Sequence, residues 1–224
     1  MLRRLSKIQP EFFEFSKNNL EWANKQVNKY PDGRQASAVI PILWRVQEQE
    51  GWISKPAIDY VANFLNMSSI RVFEVVSFYF MFHLHPVGKI AHIQICGTTP
   101  CMLRGSEDIV EICKKEIAPE PHLISEDGNF SWEEVECLGA CANAPIVQLG
   151  KDYYEDLSKD TFKEILSNLK EGKIPTPGSQ IKKFSCEPTE LINFKNKNNL
   201  ETSNASVKLA ILKKDTLEKV SGKK

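Results

Sequence analysis

The sequence predicts an α/β fold: a small N-terminal helical bundle over residues 1–85, a mixed domain of strands and helices over 86–175, and a basic extension over 176–224. Three observations predict it. Up to residue 82, apolar residues recur at three- and four-residue spacing, the period of a helix with one buried face. From residue 89 the pattern changes to alternation and then follows the order strand, helix, strands, helix. Beyond Pro175-Thr176-Pro177-Gly178, Lys, Asn and Ser dominate and periodicity fades, which reads as an arm, disordered or draped over a partner.

The first helix is expected from residue 10 to about 30, with Phe12, Phe15, Ala23 and Val27 on one side, and Pro31-Asp32-Gly33 is the turn that ends it. A second begins near Ser37, keeps Pro41 in its first turn, buries Val39, Ile42, Leu43 and Val46, and stops at Gly51. Ser54 caps a third, with Pro56 near its start and Ile58, Val61, Ala62 and Leu65 inward. Ser68 or Ser69 caps a fourth through Val72, Val75, Val76 and Tyr79. The aromatic group Phe78, Tyr79, Phe80 and Phe82 at its end reads first as core or inter-domain packing and second as a subunit interface. His83 and His85 have no third metal ligand of suitable spacing nearby.

Residues 89–95 alternate, Ala91, Ile93 and Ile95 against Ile90, His92 and Gln94, so His92 reads as a strand residue. A helix from Met102 to Ile117 buries Ile109, Ile112, Cys113 and Ile117, with Cys113 as a core thiol. If it starts near Cys101, its positive end favours thiolates there. Asp127-Gly128 turns the chain into an extended segment over Phe130 to Glu136. Ala144 to Leu149 and Asp152 to Glu155 form a hairpin about Gly150-Lys151, and Ser158 caps a last helix carrying Phe162, Ile165, Leu166 and Leu169 to Gly172. The extension carries a short apolar stripe over Val207 to Val220 and a lone thiol, Cys186, read as solvated.

Composition excludes several function classes. The longest apolar stretch, Val75 to Phe82, is far below the ~20 residues a membrane helix needs, so no direct membrane span is expected. The basic start Met1-Leu2-Arg3-Arg4-Leu5 lacks an apolar core, which argues against a secretory signal. Formal charge is zero overall, but residues 176–224 hold 10 Lys against 5 acidic residues, leaving 19 basic and 24 acidic residues elsewhere. An acidic body offers no footprint for nucleic acid. No G-x-G-x-x-G, P-loop or hydrolytic triad stands out. Six cysteines, four in close pairs, fit a reducing compartment rather than a disulfide scaffold.

Those four carry the chemistry. Cys96 and Cys101 enclose Gly-Thr-Thr-Pro, and Cys137 and Cys141 enclose Leu-Gly-Ala, each pair on a loop that follows an extended segment. Thirty-five residues separate the pairs, enough for a helix and strands to fix the distance between them. Four thiolates from two turns suit an iron-sulfur cluster, and the small neighbours leave backbone N–H groups free to approach sulfur. Structural zinc tolerates the same spacing, and a redox dithiol or disulfide is a third reading.

The stretches CGTTPCMLRG (96–105), EVECLGACANAPIVQL (134–149) and DYYEDL (152–157) resemble the thioredoxin-like [2Fe-2S] subunits of NADH:quinone oxidoreductase, respiratory complex I. AVIPILWRVQEQEGWIS (38–54) and IRVFEVVSFYFMF (70–82) resemble the helical domain of the same subunits, so the likeness covers roughly residues 10–175. It implies a thioredoxin-like [2Fe-2S] ferredoxin domain after the helical bundle, with one [2Fe-2S] cluster per chain on Cys96, Cys101, Cys137 and Cys141. It implies an electron-transfer subunit whose cluster exchanges single electrons with FMN, the FMN and NADH being bound by a neighbouring flavoprotein subunit. Other peripheral-arm subunits are further implied partners, at the cytoplasmic face of a bacterial inner membrane or the mitochondrial matrix side. Equivalent subunits of NAD-linked hydrogenases and formate dehydrogenases share these motifs. The chain departs from thioredoxin in having no C-x-x-C after its first strand, which disfavours dithiol exchange.

Overall fold

The computed structural model describes residues 3–187 and Leu212. The chain divides between Val87 and Gly88 into two compact units.

In the first unit, the segment before the first helix is extended rather than helical. Phe13 and Phe15 are buried while Phe12 is 73% exposed, an alternation of period two that a helix does not produce. Phe13, Phe15 and Tyr60 meet edge to face at 5.2–5.5 Å. Helix α1 (Lys17–Val27) begins only where Ser16 accepts a hydrogen bond from the N–H of Asn19. Helix α2 (Val39–Glu50) buries Val39, Ile42, Leu43 and Val46, the expected stripe, and adds Gln47 to it. Gly51, at φ 82°, takes the left-handed conformation that ends this helix.

Helix α3 (Lys55–Leu65) is capped by Ser54, which accepts from the N–H of Ala57, and buries Ile58, Val61, Ala62 and Leu65 as expected. Helix α4 (Ser69–Phe78) buries Val72 and Val76. The Arg3 guanidinium reaches back to the carbonyls of Val76, Tyr79 and Phe82, supplying donors to the acceptors a helix end leaves open. The aromatic group that follows splits: Phe82 is fully buried, whereas Phe78 and Phe80 are 73% and 64% exposed. Buried packing therefore holds for one of the four. Gln47 fixes this stretch, donating to Met81 O at 2.8 Å and accepting from the N–H of His83 at 2.7 Å.

The second unit is a five-stranded mixed sheet in the order β2-β1-β3-β4-β5, from β1 (Ala91–Cys96), β2 (Phe130–Val135), β3 (Val147–Leu149), β4 (Asp152–Glu155) and β5 (Gly178–Ser179). β1 pairs parallel with β2 and antiparallel with β3, β3 and β4 form the expected hairpin, and β4 pairs parallel with β5. Parallel neighbours need a crossover. Here it contains α5 (Thr99–Leu103) and α6 (Ser106–Glu116), not the single helix expected over 102–117. Gly105, at φ 101°, interrupts the helical path, so α6 starts beyond the break and does not aim its N-terminus from Cys101.

Strand parity sorts this unit's side chains. Ala91, Ile93, Ile95, Phe130, Trp132, Val147, Leu149 and Tyr154 join Ile109, Ile112 and Cys113 of α6 in one core. Phe162, Ile165, Leu166 and Leu169 of α7 (Lys159–Lys170) complete it, behind a capping box between Ser158 and Thr161. The opposite parity brings His92 against Ser131 at 2.7 Å and against Glu133 at 3.1 Å, so His92 is the strand residue expected. Trp132, 1% exposed, satisfies its indole N–H on Ala118 O at 2.8 Å. Residues 176–187, assigned by sequence to the extension, return to the sheet through β5, which adds residues beside β4 that carry no strand pattern of their own. The stripe over Val207–Val220 falls on residues outside those described, Leu212 apart.

Replacing Gln47 by Leu strands both the Met81 carbonyl and the His83 N–H, and a loss of about 1–3 kcal/mol of stability is expected from urea unfolding. Trp132→Phe removes the donor to Ala118 O from the second core; a drop of similar size is expected, and an unchanged urea midpoint contradicts the assigned bond.

Candidate metal centre

The two cysteine loops leave the same end of the sheet because β1 and β2 run parallel with Cys96 in register with Val135. Cys96 is the last residue of β1, and its N–H donates to Ile146 O at 3.1 Å. The Gly97 N–H donates to Val135 O at 3.0 Å, and a Cβ at Gly97 would meet the Glu134 side chain, which would have to move aside. α5 then turns Cys101 back, and the turn closes through the N–H of Arg104 on the carbonyls of Pro100 and Cys101. Beyond β2, Cys137 and Cys141 flank a turn shaped by Gly139 at φ 82°. Cys141 opens a short 3₁₀ turn, Cys141–Asn143.

The structure brings the sulfurs together in two unlike pairs. Cys96 and Cys101 are fully buried, with Ala144 and Ile146 in the same apolar cluster and Leu138, Ala140 and Tyr153 against it. Cys137 and Cys141 are exposed, with Sγ atoms 3.5 Å apart. Burial raises the pKa of Cys96, but the Thr98 hydroxyl at 3.3 Å, the N–H groups of Leu138 and Thr98 and the Cys101 thiol outweigh it and leave the pKa lowered. Burial, with the proton shared toward Cys96, pushes Cys101 up to about 12. On the exposed loop the Gly139 N–H, 3.4 Å from Cys137 Sγ, the Cys141 thiol and the Thr98 hydroxyl lower the Cys137 pKa. Cys141, donating toward Cys137, is raised. The Thr98 hydroxyl bonds Cys96 of the first loop, and negative charge on Cys96 or Cys137 disfavours a thiolate at Cys141.

This donor set fits a polynuclear sulfur-ligated group: four thiols, two of them with a lowered pKa, with backbone and hydroxyl donors directed at sulfur. Cys113 lies on the buried face of α6, where burial raises its pKa and keeps it a thiol. Cys186 is exposed.

Sequence reasoning missed three contributors. Thr98 lies inside the first motif, and its role depends on rotation of one hydroxyl. Tyr153, on the cysteine-facing side of β4, donates to Leu138 O at 2.9 Å and braces the second loop. Its alternation with the buried Tyr154 is a signal that could have found it. Asn143, 4% exposed, ties the end of that loop to Glu155 and Ser185, a pairing over 42 residues that no local pattern reveals.

The family description thioredoxin-like [2Fe-2S] ferredoxin matches residues 23–170. The chain is 52% identical over 191 residues to an E-type subunit of the NADH-quinone oxidoreductase of Rhizobium meliloti, covering 84% of this chain and 70% of that protein. It is 50% identical over 158 residues to the E-type subunit of the same enzyme in Rickettsia conorii, covering 70% and 94%. Among solved structures, the NAD+-reducing [NiFe]-hydrogenase in its H2-reduced state aligns with a TM-score of 0.53 at 14% identity, covering 62% of this chain and 23% of that one, a likeness of fold. These findings bear out the expected fold class and support a [2Fe-2S] cluster. By fold, by motif and by identity at about one residue in two, the chain belongs to the thioredoxin-like [2Fe-2S] ferredoxin family and, within it, to the group of E-type subunits of NADH-quinone oxidoreductase.

Proposed function

We propose that Cys96, Cys101, Cys137 and Cys141 ligate one [2Fe-2S] cluster and that the chain is the electron-transfer subunit of an NADH:quinone oxidoreductase. The observation that carries this reading is the placement of two cysteine pairs on loops that leave neighbouring parallel-strand ends, with the Thr98 hydroxyl 3.3 Å from Cys96 Sγ and the Gly139 N–H 3.4 Å from Cys137 Sγ. When bound, the cluster supplies one-electron chemistry, taken from FMN on a neighbouring NADH-binding flavoprotein subunit and passed on within the peripheral arm.

The residues of this chain do the rest. Ala144, Ile146 and Leu138 exclude water from the Cys96 and Cys101 side. Burial and the negative charges on Cys137 and Cys96 raise the Tyr153 pKa, so its hydroxyl stays protonated and keeps its bond to Leu138 O. The exposed Cys137 and Cys141 form the side open to a donor or acceptor. Among the described residues no helix is long and apolar enough to cross a membrane. Attachment through the complex, at the cytoplasmic face of a bacterial inner membrane or the mitochondrial matrix side, fits that. A subunit of an NAD-linked hydrogenase would use the same ligands, but the relatives at about 50% identity favour the quinone-linked assembly.

Anaerobically purified full chain is expected to carry iron and acid-labile sulfide in equal amounts, about two of each. Stoichiometric zinc without sulfide overturns the cluster in favour of a structural zinc site on the same four cysteines. Cys137→Ser is expected to change or abolish the reduced-state EPR spectrum, and an unaltered spectrum rejects the ligand set. Purification of the intact assembly through this chain is expected to bring a flavin-containing partner with it; recovery with hydrogenase subunits instead moves the chain to the other parent complex.

A further inference from the structure

A buried ammonium lies against the residues that follow Cys141, at the end of the exposed cysteine loop. Lys183 is 7% exposed at its side chain, as is Asp156, and Lys183 Nζ lies 2.7 Å from Asp156 Oδ1. The same ammonium donates to Asn143 Oδ1 at 2.8 Å and approaches the carbonyl of Ala142, the residue after Cys141, at 3.4 Å. Asp156 is held in turn by the Ser179 hydroxyl at 2.6 Å, and its own N–H donates to Asn143 O at 2.6 Å. The Lys183 N–H donates to Ser179 Oγ at 3.2 Å. Lys183 also lines one groove with Cys141, Ala142 and Arg104.

Burying a lysine is costly unless every donor finds an acceptor. Here all three acceptors belong to the end of the Cys137–Cys141 loop or to the turn that packs on it. A charge buried in this way is screened less than one held out in solvent.

We propose that Lys183 is a positioning residue of the metal centre: it clasps the Cys141 end of the ligand loop and its positive charge raises the reduction potential of the group held there. The proposal rests on the [2Fe-2S] reading above. Each added electron increases the negative charge of a thiolate-ligated cluster, so a nearby fixed cation favours the reduced form. A unit charge felt at roughly 10 Å under an effective dielectric of about 20 changes such an equilibrium on the order of tenfold.

The test is a redox titration, followed by EPR, of the full-length chain and three variants. Lys183→Gln keeps a polar side chain but removes the charge. Its reduced-to-oxidised ratio at the wild-type midpoint is expected to fall about tenfold, a shift of about 59 mV downward for a one-electron couple. Asp156→Asn leaves the cation uncompensated and is expected to move the midpoint upward, while Lys183→Arg keeps it near wild type. Opposite signs for the two charge removals are something a purely structural clasp does not produce. If Lys183→Gln fails to hold a cluster, Asp156→Asn decides, and a midpoint that stays or falls overturns the proposal. Unchanged midpoints in fully loaded variants overturn it while leaving the ligand set intact. A wild-type chain with no [2Fe-2S] signal overturns both.

Discussion

The parallel pairing of β1 with β2 is the constraint on which the site depends. Parallel neighbours end at the same edge of a sheet, so a loop leaving each must start beside the other. The register adds the detail: Cys96 stands opposite Val135, which puts Cys137 only two residues beyond the pairing. A slip of one residue would turn Cys96 toward α6 and α7, because side chains alternate between faces. Ala91, Ile93 and Ile95 prevent that slip by filling the helix-facing core, so the apolar core that folds the unit also aims Cys96.

The next constraint is electrostatic. Neighbouring thiols oppose each other's ionisation, and in each loop one cysteine is shifted toward the thiolate and the other away from it. Cys96 and Cys137 are lowered, Cys101 and Cys141 raised, each partner shifted against its neighbour. Cysteines ligate a metal as thiolates, so loading a metal on these residues would release protons. The backbone N–H groups around Cys96 and Cys137 then remain as donors to ligand sulfur.

Much of this was legible in the sequence, for local reasons. Alternation over 91–95 gave the first strand, the Asp127-Gly128 turn marked the extended segment that becomes β2, Ser54 and Ser158 gave two helix starts, and the spacing of the cysteines gave two loops. What was misread depended on neighbours distant in sequence. Phe12, Phe13 and Phe15 suit a helix face or a strand equally, and contact with Tyr60 decides for the extended form. Gly105 lies inside a helical pattern, and only its positive φ shows the break. Phe78 and Phe80 look like core residues by type, but apolar type does not by itself dictate burial. β5 contributes two residues, Gly178 and Ser179, whose pairing comes from β4.

The least legible part is also the one that ties the ligand loop down. Asn143 follows Cys141 by two residues, yet its partners Glu155, Asp156, Lys183 and Ser185 come from later segments. A loop carrying exposed ligands has few apolar contacts of its own, so its order must be supplied from outside. Polar groups are the effective means, because a buried amide with every donor and acceptor satisfied tolerates only one arrangement. The fold-back after α7 brings the final member, Lys183, and so places a stretch with no strand or helix signature among the residues that hold the end of the Cys137–Cys141 loop.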